Sequence, residues 1–380
     1  MKVYFQYQLS QAQQDEWLYF WENCKNAHPR QHHVFAEIEK AKGRIPLFVI
    51  GEENRKIAAI GLFSIRPFFF GNKFSLEAVC LRGPVFENID NGRDFLLQII
   101  SFFKSLRVGS IRISPLWYFP EAEPIESLLK ELNFISYLGH TRDLTALIDL
   151  QRSIEDISAS FSQSTRREIR RAERNQVIIR AATNIKEGQY FFEKFDCMQH
   201  ERGLTPITFN EFRSMMEFIF KKQDIGILLN AYHGETFLGG LWLVRSSLVA
   251  HASRYVVVNE VLRSISNLSI GPVLWLHGMI WAKKKGCKLF DMEGSAEATD
   301  INSITYEVQK FKKRFNPATF ERISEHVYIS NHTIQSLFTG STKIKYLKQY
   351  IMGLPYFIRK KLLTHTGNHK SDTKDNMSQT

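Results

Sequence analysis

Asp291 and Glu293 flank Met292 at the end of an apolar run, and Gly294 follows them with a turn signal. Farther on, Lys312 stands between Phe311 and Phe315. Apolar surroundings strip water from a lysine and favour its neutral form, while a nearby carboxylate does the opposite. Groups tuned this way suit proton transfer or stabilisation of a developing charge. Asp291 reads equally as a base or as a cap that fixes the turn. Lys312 reads also as one member of an exposed basic run, Lys310-Phe-Lys-Lys-Arg314.

The elements that must position these residues repeat. Ile45–Ile50, Ile57–Arg66 and Phe74–Cys80 read as strands joined by turns, then a helix over Asp94–Arg107 and a short strand over Ser110–Ser114. The second half has the hairpin Ile227–Tyr232 and Thr236–Arg245, a strand over Leu248–Val258, a helix after Gly271-Pro272, and a strand over Lys288–Met292. Ala59–Phe63 aligns with Gly239–Leu243. Matching order and turn positions point to an internal duplication of one α/β unit. The expected parts are a first domain over 1–160, a second over 161–335, a basic helical extension over 336–365 and a disordered tail over 366–380.

Composition narrows the chemistry. A chain of 380 residues is long enough for two cores, and 30 Phe residues supply apolar volume. The net charge of +11 suits an anionic partner, and equally suits simple solubility. Cys24, Cys80, Cys197 and Cys287 form no CxxC pair, so no zinc site is expected, and all four read as buried free thiols. His32 and His33 are adjacent and have no partner at metal-ligand spacing. No phosphate-binding glycine loop, GxSxG elbow or HExxH pair occurs. No apolar run reaches membrane-spanning length and no secretory leader is apparent, so a cytoplasmic location is expected.

Between the halves, Ser164 to Val177 reads as a helix capped by Ser164 or Thr165, with Glu168 closing a capping box. Arg166, Arg170 and Arg174 recur every fourth residue and share one face. That face reads either as a solvated surface or as a ridge for a phosphate backbone. Lys343–Leu363 alternates basic and apolar residues. It reads as a helix packed on its own domain, or as a segment lying on RNA or on the inner face of an acidic membrane.

Four segments in register resemble the FemABX-type aminoacyltransferases. They are Arg82-Gly83-Pro84, the arginine-rich helix Arg166–Val177, Ala282–Gly286 running to Phe290-Asp-Met-Glu-Gly294, and Phe311-Lys312 with Phe315. The resemblance implies an α/β (α+β) fold of two tandem GNAT-like acyltransferase domains with mixed sheets, followed by the basic C-terminal segment. It implies transfer of an amino acid from aminoacyl-tRNA to an amine of a UDP- or lipid-linked muropeptide, with no cofactor. Acyl-CoA is the alternative donor, as in relatives that modify polysaccharides or small molecules. By that likeness Lys312 sits at the donor–acceptor junction, where it stabilises charge on the tetrahedral intermediate or holds the acceptor's phosphates, and Phe311 shapes its pocket. Tyr255, Arg202 and Asp291 bind substrate, and Arg166, Arg170 and Arg174 hold tRNA.

Overall fold

The computed structural model describes residues 1–70, 73–137, 139–201, 207–221, 224–265, 268–294 and 304–330. Arg202 and the segment beyond 330, including the expected extension and tail, lie outside the described residues.

The strands of the first half are β1 (Lys2–Gln6), β2 (Ile45–Glu53), β3 (Lys56–Phe70), β4 (Lys73–Cys80), β5 (Val85–Phe86), β6 (Ser110–Ile113) and β7 (Ile135–Ser136). Then come β8 (Arg142–Asp149), β9 (Ile178–Ala181), β10 (Gly226–His233), β11 (Thr236–Arg245), β12 (Val249–Val257), β13 (Leu289–Asp291), β14 (Ala318–Ile323) and β15 (His326–Ile329). One sheet runs β1-β2-β3-β4-β6-β15-β7, with β5 beside β3, and the other runs β14-β8-β13-β12-β11-β10-β9. Both sheets are mixed in the same way. Antiparallel hairpins lead to one parallel step, β4 with β6 and β12 with β13. A helix makes each right-sized crossover, Ile89–Ser105 in the first half and Gly271–Lys284 in the second.

The duplication seen in the sequence is therefore a duplication of sheets, with one exchange. Strand β8 follows β7 in the chain, yet it pairs with β13 and β14 in the second sheet. In return β15, late in the chain, pairs with β6 and β7 in the first sheet. Of the strands after Phe134, β7 and β15 join the first sheet and β8 does not. β8 is apolar at Ala146 and Ile148, both buried in the second core.

Packing ties the halves further. Trp17, Trp21, Phe35 and Phe48 of the first half share one core with Phe191, Phe212, Met215 and Trp242 of the second. The outer faces carry separate cores, one under helix Ile89–Ser105 and one under helix Gly271–Lys284. Burying each such large side chain stabilises the fold by about 1.5–3 kcal/mol. Cys24, Cys80 and Cys287 are buried as expected, but Cys197 is exposed. It sits on helix Ile185–Glu201, whose buried stripe runs through Gly188, Phe191 and Phe195 instead.

A buried ion network fastens the exchanged strand. Glu77 on β4 is 1% exposed and lies 2.6 Å from Arg66 and 3.1 Å from Arg112. Arg112 also reaches Glu325, just before β15, at 2.7 Å. Removing one member of such a network strands a buried charge. Glu77→Ala is expected to lower the unfolding free energy by about 3 kcal/mol in urea titrations. A loss under about 1 kcal/mol would contradict this reading of the network.

Candidate active site

Strand β13 ends at Asp291, where its parallel pairing with β12 ends at the register His251↔Asp291. Beyond that pair the two chains separate. β12 runs on to Val257 while the other chain turns at Glu293, whose φ of 54° is left-handed. Asp291 holds this turn, since its Oδ1 accepts the backbone N–H of Glu293 at 2.7 Å. The turn costs a non-glycine residue some strain, and the buried carboxylate offsets it. The sequence left Asp291 as a base or a cap; its observed contacts are those of a cap.

Asp291 is fully buried and Glu293 half-buried, and the two are neutralised together. Asp291 accepts from Thr145 Oγ1 on β8 and from Arg322 on β14 at 3.3 Å. Glu293 Oε2 accepts from both Arg322 and Arg82, each at 3.2 Å. Its Oε1 lies 3.0 Å from His251 Nδ1 and 3.8 Å from His28 Nε2. Burial alone would raise the Glu293 carboxyl, but the two arginines and the histidines outweigh it and hold the group well below the usual range. Burial, reinforced by neighbouring His251, keeps His28 well below the usual imidazole range. Burial also pulls on His251, yet its contacts with Asp291 and Glu293 prevail and raise it.

Arg82 belongs to the Arg82-Gly83-Pro84 segment, and its backbone N–H donates to Ser114 Oγ at 2.8 Å with φ at 57°. Gln31 braces the same segment by donating to Leu81 O at 2.8 Å. His28, Arg82, Arg322 and His251 were not singled out as site residues in the sequence. Arg82 stood inside a quoted motif, but the histidines carry no local signal. They meet only when the halves fold together.

Lys312 lies on helix Ile304–Lys313 and is 8% exposed. Its Nζ donates to the backbone oxygens of Glu293 and Gly294, the latter at 2.7 Å. Burial lowers its pKa to about 8, with Asp291 and Glu293 opposing the drop. A lysine ammonium has three protons, so one remains beyond these two carbonyls. Phe311 stacks on Tyr255, with centroids 5.9 Å apart and planes 16° from parallel. Gly271 is required beside them: a Cβ there would lie 2.5 Å from the Tyr255 hydroxyl and 3.0 Å from the Phe311 ring.

Two cavities flank β12. One, of about 190 Å³, lies between the halves and is lined by His28, Arg30, Lys42, Arg82, His251 and Arg254, among others. The other, of about 290 Å³, is lined by Tyr255, Val257, Leu262, Ile270 and Phe311, among others. A bulge makes this possible. Leu243 pairs with Ala252 and Trp242 with Arg254, so Ser253 is an extra residue in β12. Ser253 and Arg254 thereby join the first cavity, and Tyr255 the second. The first cavity sets Arg30, Lys42, Arg82 and Arg254 against Glu211 and Glu293 and is basic in balance, and the second is mainly apolar.

The arginine-rich helix, Gln163–Arg174, buttresses this region. Ser162, not Ser164 or Thr165, is its cap, accepting the Thr165 N–H at 3.3 Å. Glu168 is engaged elsewhere: it accepts from Ser269 at 2.7 Å and from Arg314 at 2.5 Å. The helix thus grips the residue two places after Lys312. Arg170 and Arg174 are exposed, whereas Arg166 is half-buried and donates to Ala159 O.

His28, His251 and Glu293 place donor atoms within 4.8 Å of one another. A divalent cation there would face the guanidiniums of Arg82 and Arg322, which already occupy Glu293. The donor set suits shared protons better than a metal. Among the described residues no helix is long and apolar enough to cross a membrane.

The depressed Lys312 has a consequence for stability. Below pH 8 both folded and unfolded chains keep its proton, so the burial penalty is fully present. Between 8 and 10.5 the unfolded chain binds more protons, so stability contributed at this site rises with pH. Wild type should therefore gain on the order of 2 kcal/mol relative to Lys312→Met between pH 7 and 10 in chemical denaturation. A difference that stays flat with pH would contradict the depressed value.

No family model and no curated protein matches the sequence. Solved structures do. A crystal structure of FemX superposes with a TM-score of 0.74 at 14% identity, over 89% of this chain and 99% of that one. The structure of L-PGS from Bacillus licheniformis gives 0.53 at 10% identity, over 91% and 98%. A tandem GNAT protein from the clavulanic acid biosynthesis pathway gives 0.50 at 9% identity, over 87% and 99%. The chain thus has the FemX-like fold of two tandem GNAT-like units with mixed sheets, as the FemABX resemblance in its sequence implied.

Proposed function

We propose that this protein is an acyltransferase that moves an aminoacyl group from aminoacyl-tRNA to an amine on a peptidoglycan precursor. The observation that carries the reading is the opening between β12 and β13, with a basic cavity on one side of β12 and an apolar one on the other. The acyl group enters beside Tyr255 and Phe311. The acceptor enters from the basic cavity, where Arg30, Lys42 and Arg254 suit the phosphates of a UDP- or lipid-linked muropeptide. Amine and ester meet at the gap.

An aminoacyl ester is already activated, so alignment of the two reactants supplies much of the rate. The remaining need is a positive group where the carbonyl oxygen becomes an oxyanion. Lys312 is the candidate, buried at the strand end with one N–H proton uncommitted. Exposed Arg170 and Arg174 are placed on the surface of the second half, where a tRNA backbone would bring counterion release and strong salt dependence. Arg166 serves that surface less directly, because it is tied to Ala159. Tyr255 acts here as a wall of the acyl pocket, and Asp291 as the residue that holds the turn below it.

The test is transfer of label from mixed charged tRNAs to UDP-linked and lipid-linked muropeptides. Lys312→Ala is expected to lose about 10²–10³-fold in kcat while keeping its fold. Transfer from acyl-CoA with none from tRNA would replace the donor in this reading. For a lysine that must be charged, the rate falls as pH rises through about 8. Arginine stays protonated there, so Lys312→Arg should lose that limb of the pH profile. An unchanged limb would remove Lys312 from the charge-stabilising role.

A further inference from the structure

Aminolysis needs a step that Lys312 cannot perform. The acceptor amine arrives largely as an ammonium ion, and it must lose a proton before its nitrogen can attack. Among the groups at the gap, His251 has the arrangement this requires. It is the last β12 residue paired with β13, opposite Asp291, so it stands where the strands part. It also lines the basic cavity assigned to the acceptor. Its side chain is 1% exposed. Nδ1 is engaged by Glu293 at 3.0 Å, and Nε2 has no hydrogen-bond partner. A carboxylate on Nδ1 fixes the N–H there and leaves the Nε2 lone pair as the acceptor.

Resting on the transferase reading above, we propose that Glu293 and His251 form a carboxylate–imidazole dyad whose Nε2 takes the proton from the acceptor's ammonium. The resulting amine nitrogen attacks the ester carbonyl carbon, and a C–N bond forms. The tetrahedral intermediate then collapses, the C–O bond to the ribose breaks, and the ribose oxygen takes the second proton released by the attacking nitrogen. The proton held on His251 leaves to solvent. No oxidant, reductant or further reactant is needed.

The surroundings fit this role. His28 packs against His251 with ring centroids 4.3 Å apart, and its Nδ1 accepts the Arg30 N–H at 3.0 Å. That bond and its lowered basicity keep His28 neutral, so the dyad's proton belongs to His251. The charged groups facing His251 are Asp291 and Glu293, with Arg82 and Arg322 behind these carboxylates. Arg30, Lys42 and Arg254 stand farther out in the same cavity, with Glu211 paired to Lys42 and Arg254. The two carboxylates balance the two nearer guanidiniums, which lets His251 change charge without leaving a large net charge buried.

The experiment measures single-turnover transfer from pH 5.5 to 9.5 for wild type, His251→Gln and His251→Asn, with thermal melts and acceptor KM alongside. His251 as proton acceptor predicts a loss of about 10²-fold or more in kcat at neutral pH, KM within about threefold, and a residual rate that climbs with pH until the loss of the Lys312 charge, near pH 8, begins to oppose it. Variants within about threefold of wild type and with its pH profile would overturn the assignment. So would a loss that is equal at every pH, which marks a positioning residue. If neither variant folds, wild type decides with acceptors whose amines differ in pKa. A low-pH limb that stays in place belongs to the enzyme and supports His251; a limb that follows the amine overturns it. Wild type that transfers from neither charged tRNA nor acyl-CoA sinks the transferase reading itself.

Discussion

Two carboxylates, fully buried Asp291 and half-buried Glu293, stand at the end of one short strand, and the site depends on how they are neutralised. An isolated buried carboxylate is prohibitively costly, so each must be met by positive charge and by donors. Arg322 comes from the next strand but one in the second sheet, and Arg82 and His28 come from the first half of the chain. Asp291 is met within the second sheet, whereas Glu293 gains its full set of partners only when both halves are folded and docked. The same contacts shape the wall of the basic cavity between the halves.

The strand exchange serves the same end. β8 carries Thr145 to Asp291, and β14 carries Arg322 there, while β15 returns to close the first sheet. Neither sheet is complete on its own half of the sequence. The shared core around Trp17, Phe212 and Trp242 adds an apolar seam along the same boundary. A gap held between two strands needs such bracing, because opposed reactants must be positioned to a fraction of an ångström.

Much of this was legible in the sequence where the signal was local. The hairpins and the two crossover helices follow from alternation, turn residues and repetition. Lys312 between two phenylalanines and the strand ending at Asp291 could be found because their neighbours in sequence are also neighbours in space. His28 and His251 could not be found that way. Each lies in an ordinary segment, and only the docking of the halves stacks one on the other. The exchange of β8 and β15 was hidden for a similar reason, since apolar alternation fixes a strand's buried face but not which sheet receives it. Ser162 displaced the expected caps because Glu168, the residue needed for a capping box, is drawn to Arg314 and Ser269.

The central claim is that donor and acceptor reach the gap between β12 and β13 from opposite faces. A crystal structure with a non-hydrolysable aminoacyl-amide of a short tRNA 3′ end, together with a UDP-muropeptide, tests it most directly. The expected result places the acyl group against Tyr255 and Phe311, the acceptor's phosphates among Arg30, Lys42 and Arg254, and the acceptor amine beside His251. Both ligands on one side of β12, or an acyl group remote from Lys312, would contradict it.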